Sequence, residues 1–331
     1  LVAHIVDEDA GGIVIQGAKM LATSAVAANE ILISGIQPLA PGDEVIFESH
    51  AHPGGSFPWL NQAQRRGVTV KVFEPDHASA EGNLARIREL ITPRTKVIQV
   101  SHVTCTDGLV FPVTAIAALA RSRGIWFHID GAQSAGMIPV NFHAIGCDSY
   151  AFSGHKWLGG PHETGGLYIR RDRLEAVAPT GIGAYSGELP HLPGEIKYFG
   201  AASRHEYGTR NAGLVAGLAE AVRLQEHLGR ERIAAHGREL AVMVHDGLSG
   251  VDGITVLTPR PAELRASMTT FRHVRAEAGQ LYGYLRKEHG LRCRPMTEQG
   301  LNAVRVSFHV FNSRAEAARV IAGVRAAARA L

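Results

Sequence analysis

The sequence predicts an α/β protein, with a mostly parallel sheet flanked by helices and a smaller C-terminal α+β domain. Over the first two thirds of the chain, short apolar segments rich in β-branched and aromatic residues alternate with helical patterns. Beyond Gly250 the order of segments changes. The 331 residues, 45% of them hydrophobic, are enough for one large and one smaller domain.

The segments of the first part predict a parallel sheet covered on both faces. The predicted strands are Glu44–Phe47, Val68–Phe73, Lys96–Val100, Ile125–Ile129, Ser149–Phe152 and Leu167–Ile169. Helical patterns lie between them, as at Ala80–Ile91 and Val113–Arg123. We expect right-handed crossovers. The stretch Pro179–Pro193 is rich in Gly and Pro and predicts a long loop.

The C-terminal part predicts a second, smaller sheet with helices. A helical pattern over Ala212–Leu248, interrupted near Gly229, leads into it. The predicted elements that follow are strands Ile254–Leu257, Met268–Phe271 and Val304–Val310, and helices Ala278–Glu288 and Arg314–Ala330. We therefore assign residues 1–250 to the large domain, with its connecting helices, and 251–331 to the small one. The chain opens on Leu1 rather than Met, so we expect a further segment before it.

Composition excludes several classes of function. The net charge is +3, with no run of five like charges, so we expect no nucleic-acid partner. No apolar run approaches the roughly 18 residues of a membrane span. The three cysteines, Cys105, Cys147 and Cys293, show no C-x-x-C spacing, which predicts neither a disulfide framework nor a zinc site and favours a cytoplasmic location. No G-x-G-x-x-G follows the first strand, which argues against a dinucleotide-binding protein.

Polar side chains follow four of the predicted strands. They lie in Glu48–His52, Ser101–His102, Asp130–Gln133 and Ser153–Lys156. Because ligands of open parallel sheets collect at the carboxyl ends of the strands, these segments predict a shared site.

Asp130 and Lys156 are the central pair of this predicted site. Asp130 ends a strongly apolar run, and a buried carboxylate is costly unless it is paired. One interpretation is a Lys156–Asp130 ion pair. The other is a Schiff-base lysine beside an aspartate that binds a pyridinium nitrogen, since the pKa of lysine falls readily on desolvation. The two residues alone leave both interpretations open.

The motif Asp130–Gln133, followed by Ser153–Trp157, resembles the class V aminotransferases of pyridoxal-phosphate (PLP) fold type I. The resemblance is to the branch of isopenicillin N epimerase-like and cysteine desulfurase-like enzymes, and it covers nearly the whole chain. Further matching motifs are Pro41–Val45, His52–Gly55, Gly208–Asn211 and Arg305–Phe308. The resemblance implies PLP as cofactor and a PLP fold type I large domain.

The resemblance also implies roles around the cofactor ring. Lys156 would form the internal aldimine and move the α-proton of the substrate. Asp130 would bond the pyridine nitrogen and Gln133 the phenolic oxygen. His52 would stack on the ring, with His50 as the alternative. We expect no metal, because no further ligand set accompanies the two histidines.

Phosphate binding is implied at several further positions. Ser24 and Ala25 lie at a predicted helix N-terminus, where free N–H groups bind phosphate. Ser153 and His155 would add side-chain hydrogen bonds. Thr209 matches a residue that reaches the phosphate from the partner subunit, which implies a homodimer with a shared active site.

The substrate side is implied by two arginines and a cysteine. Arg305 would clamp the α-carboxylate of a small-molecule amino acid. Arg294 is either a second arginine of the substrate site or a surface residue. Cys105 is either a small buried hydrophobe or a thiol beside the cofactor. The stretch Pro295–Gly300 lacks the loop cysteine of the desulfurases, which argues against persulfide-forming chemistry.

The predicted function is therefore a PLP-dependent enzyme acting at Cα or Cβ of an amino acid or a cysteine-derived substrate. Epimerase, C–S β-lyase and aminotransferase chemistry remain open, because they differ only in how a shared intermediate is protonated or loses a group. The alternative is a non-catalytic dimeric relative that uses the PLP fold for binding. The motif residues Asp130, Gln133, Lys156 and Arg305 argue against that alternative.

Overall fold

A computed structural model describes residues 5–9, 12–18, 39–188 and 191–331; for 5–9 and 12–18 it describes the backbone alone. Two main sheets organise these residues, one of eight strands and one of four. Helices flank the larger sheet, and the predicted fold class is confirmed.

The larger sheet has the order β1-β2-β8-β7-β6-β5-β3-β4. Its strands are β1 Ile5–Asp9, β2 Gly12–Ala18, β3 Glu44–Glu48, β4 Thr69–Phe73, β5 Thr95–Ser101, β6 Trp126–Asp130, β7 Ser149–Ser153 and β8 Thr164–Ile169. Strands β3 to β7 pair in parallel, whereas β8, β2 and β1 join in antiparallel pairs. The sequence analysis did not predict β1 or β2, and it began β8 three residues too late, at Leu167. β8 is antiparallel because the β7–β8 connection contains no crossover helix of the kind that parallel strands need.

Consecutive residues of the central strands face opposite sides of the sheet. Val45, Val97 and Trp126 belong to the core on one face. Their neighbours Ile46, Ile98 and Phe127 belong to the core on the other. Both faces are buried, which explains the continuous apolar runs that predicted a covered sheet.

The helices of this part are α1 Pro53–Arg66, α2 Ala80–Leu90, α3 Val113–Ser122 and α4 Phe142–Ile145. Helix α1 was not predicted, because it opens on Pro-Gly-Gly and carries Pro58 inside. Tertiary contacts stabilise it instead. His52 caps its N-terminus, and the fully buried Trp59 donates from Nε1 to Oε1 of Gln99 at 2.8 Å.

The predicted long loop contains the short antiparallel pair β9 Gly187–Glu188 and β10 Lys197–Tyr198. Two helices follow, α5 Ala212–Leu228 and α6 Arg230–Leu248. They are separated at Gly229, where the sequence predicted an interruption; its φ of +87° is in the region that favours glycine.

The four-stranded antiparallel sheet has the order β11-β12-β14-β13. Its elements are β11 Ile254–Val256, β12 Met268–His273, α7 Ala278–His289, β13 Arg294–Met296, β14 Ala303–Ser307 and α8 Arg314–Ala330. Strand β13 was not predicted. Strand β14 ends three residues before the predicted Val310, because residues 309–312 form a turn closed by Asn312 N–H and the carbonyl of His309. The domain boundary at residue 250 stays a prediction.

Candidate active site

A cavity of about 720 Å³ lies where the carboxyl ends of β6 and β7 meet the four-stranded sheet. Five of the predicted site residues line it: His52, Gln133, Lys156, Arg294 and Arg305. Its remaining walls come from residues after Lys156, from α5 and the start of α6, and from residues 307–311.

Lys156 follows β7 and reaches the cavity from the loop 154–160. Burial lowers the pKa of its amine, and although the charge of Asp130 opposes this shift, the positive charge of Arg305 adds to it. A larger neutral fraction makes the amine a better nucleophile. Among the described residues, no ion pair joins the side chains of Lys156 and Asp130. The Asp130 carboxylate acts on the pKa of Lys156 through its charge.

Asp130 ends β6 and is buried, with Oδ1 accepting a hydrogen bond of 2.9 Å from Ala132 N–H. A second acid, Glu48, ends β3 and is completely buried. Burial raises the pKa of Glu48 to about 7, and the charge of Asp130 also raises it. The sequence analysis placed Glu48 at a strand end but missed it as a buried acid beside the site.

Gln133 is held by the residue that follows the lysine. Its Oε1 accepts a hydrogen bond of 2.9 Å from Trp157 Nε1. The carbonyl of Trp157 in turn accepts from Gln225 Nε2 at 2.6 Å and lies 2.8 Å from His309 Nε2. Trp157, Gln225 and His309 were missed as site residues, since only the position of Trp157 beside Lys156 gave a signal in the sequence.

The two histidines of the Glu48–His52 segment lie in different surroundings. His52 lines the cavity, and its Nδ1 accepts from Gly54 N–H at 3.0 Å. Burial and the charge of Lys156 lower its pKa. His50 is outside the cavity lining, with Nδ1 2.8 Å from Oγ1 of Thr106 and 3.2 Å from Oδ2 of Asp107. This arrangement favours His52 over His50 as the residue that faces a ligand.

The predicted phosphate contacts are only partly described. Ser24 and Ala25 lie outside the described residues. Ser153 is fully buried, and its hydroxyl has no hydrogen-bond partner among the described residues. A buried hydroxyl without a partner is costly, so a bound anion would satisfy it.

His155 and Thr209, like Ser153, are not part of the cavity lining. His155 Nδ1 lies 3.2 Å from the carbonyl of Thr164, which leaves Nε2 for another partner. Thr209 is exposed, with its hydroxyl 3.3 Å from that of Tyr185.

The substrate side carries a half-buried cation. Arg305, on β14, donates from Nη1 to the carbonyl of Cys105, while its Nε is buried without a partner in the described structure. Burial and the neighbouring Arg294 lower the pKa of Arg305 to about 10. Arg294 itself is paired with Glu298 at the cavity. A guanidinium with a free N–H edge suits a carboxylate.

Cys105 is buried, and burial raises the pKa of its thiol. It contacts Arg305 through its backbone carbonyl, and its side chain is not among the cavity-lining groups.

The described residues hold no cluster of three His, Cys, Asp or Glu side chains suited to a metal ion. Among the described helices, none has the length and apolar character to cross a membrane.

The fold and this site together define a PLP-type enzyme: a mostly parallel α/β sheet with a desolvated lysine, a buried aspartate on the neighbouring strand, and arginines from a second sheet. The family model for aminotransferase class-V matches residues 13–320. The chain belongs to this family, as its motifs suggested. PLP is the family's cofactor, and the partnerless Ser153 hydroxyl and the Lys156–Asp130 arrangement fit it.

Similar proteins include enzymes with different activities. A probable cysteine desulfurase 2 of Mycobacterium leprae is 32% identical over 86% of this chain and 68% of its own length. An isopenicillin N epimerase of Amycolatopsis lactamdurans is 31% identical over 76% of this chain and 65% of its own length. This chain therefore spans about two thirds of each relative. The apo structure of a cysteine desulfurase from Thermococcus onnurineus NA1 superposes with a TM-score of 0.84 at 26% identity, covering 96% of this chain and 80% of that one.

Proposed function

We propose that this protein is a PLP-dependent enzyme acting at Cα or Cβ of an amino acid or a cysteine-derived substrate. One observation carries the proposal: Lys156, with a lowered pKa, shares a single cavity with Gln133, His52 and the half-buried cation Arg305. An amine, an amide donor and a carboxylate-binding cation around one cavity are what a lysine-bound cofactor and an amino acid require.

The residues that would hold the cofactor come from five segments. Asp130 would bind the pyridine nitrogen, Gln133 the phenolic oxygen, and His52 would lie against the ring. Ser153 and His155 would bind the phosphate, joined by Ser24 and Ala25 through the family resemblance and by Thr209 from a second copy of the chain. When bound, the protonated ring draws electrons from the substrate's Cα.

The chain's own groups would then orient the substrate and move a proton. Arg305 would bind the α-carboxylate through the free edge of its guanidinium, which fixes the bond at Cα that is broken. Lys156 lies in the same cavity and would take the proton from Cα as a neutral amine. Arg294, on the neighbouring strand β13, would add positive charge on the substrate side.

Persulfide formation is not part of the proposed reaction. The segment that follows Arg294 contains the turn Glu298–Gly300 and no cysteine. Cys293 packs against the core of the small sheet, and burial raises the pKa of its thiol to about 12. It would therefore hold very little thiolate near neutral pH. The remaining reactions are epimerisation, elimination of a thiol from Cβ, and transamination.

The test begins with the cofactor. Protein incubated with PLP should show the visible band of lysine-bound cofactor, and borohydride should fix the cofactor on Lys156, as located by peptide mass spectrometry. Lys156→Ala should lose both signals. A wild-type protein that takes up no PLP would support instead a non-catalytic relative that uses the fold for binding.

A panel of amino acids and cysteine thioethers then separates the three reactions. Pyruvate with ammonia indicates elimination, deuterium at Cα with loss of chirality indicates epimerisation, and a keto acid with pyridoxamine phosphate indicates transamination. The homodimer and the cytoplasmic location stay predictions. Light scattering of the loaded protein tests the first of them.

A further inference from the structure

Trp157 fixes the orientation of the Gln133 carboxamide. An indole N–H is a donor only, so its partner in the 2.9 Å hydrogen bond must be the amide oxygen. With Oε1 occupied in this way, the NH2 group of Gln133 is the end that faces other partners. Since Gln133 lines the cavity, the side chain presents a donor there.

Trp157 is itself held from two sides. Its carbonyl accepts from Gln225 Nε2 on α5 and lies 2.8 Å from His309 Nε2. Its ring also stacks on the imidazole of His309, with centroids 5.5 Å apart and planes inclined by 29°. His309 therefore contacts both the backbone and the side chain of Trp157.

The hydrogen bonds of His309 select one tautomer. Val310 N–H donates to Nδ1 at 2.8 Å, so Nδ1 must be unprotonated. The proton is then on Nε2, from which it is donated to the Trp157 carbonyl. Burial lowers the pKa of His309, which keeps this neutral form populated near neutral pH.

His309 also lies on the segment that carries the substrate-binding cation. Arg305, Ser307 and His309 are alternate residues of the chain, and all three line the cavity. Phe311, two residues further on, stacks on His309 with centroids 5.6 Å apart. One segment of the small sheet thus contributes to the walls on both the substrate and the cofactor side.

We propose that His309 is a positioning residue that acts through Trp157 to keep the NH2 group of Gln133 toward the phenolic oxygen of the cofactor. This role rests on the proposed function. A donor at that oxygen influences the charge of the cofactor, so loss of Trp157 or His309 should change the cofactor's spectrum without removing Lys156, Asp130 or Arg305.

The deciding experiment is a double-mutant cycle between Trp157→Phe and Gln133→Ala, with the protein loaded with PLP and no substrate present. The measurements are the pH midpoint of the visible band and the Kd for PLP. Trp157→Phe keeps an aromatic ring but removes the indole N–H. Alone, it should move the midpoint in the same direction as Gln133→Ala and raise Kd about tenfold, as loss of supporting hydrogen bonds does at other sites. In the Gln133→Ala background it should change neither quantity.

His309 is tested with two variants and a matched control. His309→Ala should reproduce the effect of Trp157→Phe, whereas His309→Gln keeps a side-chain donor and should stay close to wild type. The control is His236→Ala, since His236 Nε2 also lies 2.9 Å from a backbone carbonyl, that of Asn312. Thermal unfolding shows whether each variant is folded. If His309→Ala does not fold, the result for Trp157→Phe decides whether the inference holds.

Three results would overturn the inference: a Trp157→Phe protein with wild-type midpoint and Kd, an undiminished effect of Trp157→Phe in the Gln133→Ala background, or His309→Ala matching wild type while folded. Each would leave the proposed function intact as long as the wild type binds PLP on Lys156. A wild type that takes up no PLP would overturn both.

Discussion

Oε1 of Glu48 accepts a hydrogen bond of 3.0 Å from the backbone N–H of Ser101, the residue paired with Asp130 across β5 and β6. Glu48 is completely buried, and its Oε2 has no hydrogen-bond partner among the described residues. The carboxyl ends of three neighbouring strands thus carry two buried acids separated by a serine. Their charges repel, so the protonation of Glu48 should affect the stability of the fold.

Glu48→Gln should make the protein more stable at pH 8 and leave it nearly unchanged at pH 4. The pKa of Glu48 is raised from 4.5 to about 7 in the folded state, so wild-type stability falls as the pH rises from 4.5 to 7. That shift corresponds to about 3 kcal/mol, since one pKa unit is about 1.4 kcal/mol. Urea unfolding at both pH values measures the difference.

Glu44→Gln is the matched control at the other end of β3. Burial would raise the pKa of Glu44, but its hydrogen bonds from Lys71, Thr92 and Thr95 lower it to about 2. Its contribution to stability is therefore present above pH 4.5 and is lost toward pH 2. Glu44→Gln should destabilise the protein at pH 8. If Glu48→Gln and Glu44→Gln both changed the stability in the same direction at pH 8, the raised pKa assigned to Glu48 would be wrong.

Asp107→Asn should destabilise the protein most near pH 6. Burial would raise the pKa of Asp107, but hydrogen bonds from His50 and His77 hold it well below its usual range. Contact with Asp107 raises the pKa of His77, and raises that of His50 despite burial. The carboxylate contributes above pH 3.8, and the charged histidines contribute until the pH rises through their raised pKa values, above 6.5.

Near pH 6, Asp107→Asn should lower the free energy of unfolding by about 3 kcal/mol, which is typical for breaking a buried charged pair. The decrease should be smaller at pH 9. Chemical unfolding at pH 6 and 9 gives both numbers. Asp172→Asn serves as the exposed control; Asp172 pairs with Arg170 at the surface and should cost less than about 1 kcal/mol. A loss for Asp107→Asn that does not change with pH would contradict the role of charged histidines.

Short apolar runs alternating with helical patterns predicted the sheet, and the strand ends together with the family resemblance predicted most of the cavity-lining polar residues. Lys156 and Gln133 were found because they follow clearly patterned strands, whereas Arg305 was found through the family resemblance. Helix α1 was missed because Pro53, Gly54 and Gly55 are poor helix formers and the helix depends on tertiary contacts. Trp157 and His309 were missed for a different reason. Their hydrogen bond joins residues 152 positions apart, and no local pattern encodes it.

Gly131→Ala should weaken PLP binding and destabilise the fold. A Cβ at Gly131 would overlap the ring of Tyr150, which is fully buried. Tyr150 cannot turn away freely, since its hydroxyl lies 2.9 Å from Nδ1 of His102 and 2.5 Å from Oγ of Ser134. We expect a loss of about 2 kcal/mol, typical of an overfilled core, and a raised Kd for PLP because Asp130 is the preceding residue.

Gly200→Ala is the control for this substitution, because a Cβ there has no neighbour within 4 Å. Thermal unfolding and PLP titration measure both effects. In a Tyr150→Leu background the additional cost of Gly131→Ala should shrink, since the smaller side chain leaves room for the methyl group. An unchanged cost there would show that the backbone at Gly131, rather than the ring, is what resists a side chain.

Arg305→Lys and Arg294→Lys should separate the two cations of the substrate side. Both substitutions keep the charge, but lysine cannot make a bidentate contact with a carboxylate. The Nε of Arg305 is buried and has no hydrogen-bond partner among the described residues, whereas Arg294 is paired with Glu298. Arg305→Lys should therefore raise KM about 30-fold, equivalent to roughly 2 kcal/mol for a charge-assisted pair, while Arg294→Lys changes it less than about threefold.

Steady-state kinetics with a substrate found in the panel, and with the matching amine that lacks the carboxylate, checks this assignment. The amine should react slowly with the wild type. Its kinetic constants should be the same with Arg305→Lys, because the amine has no carboxylate and so never makes the contact that this variant removes. If Arg294→Lys raised KM more than Arg305→Lys, the carboxylate would bind to the strand β13 arginine instead. If both variants affected the amine as strongly as the amino acid, the two arginines would act on the cofactor rather than on the substrate's carboxylate.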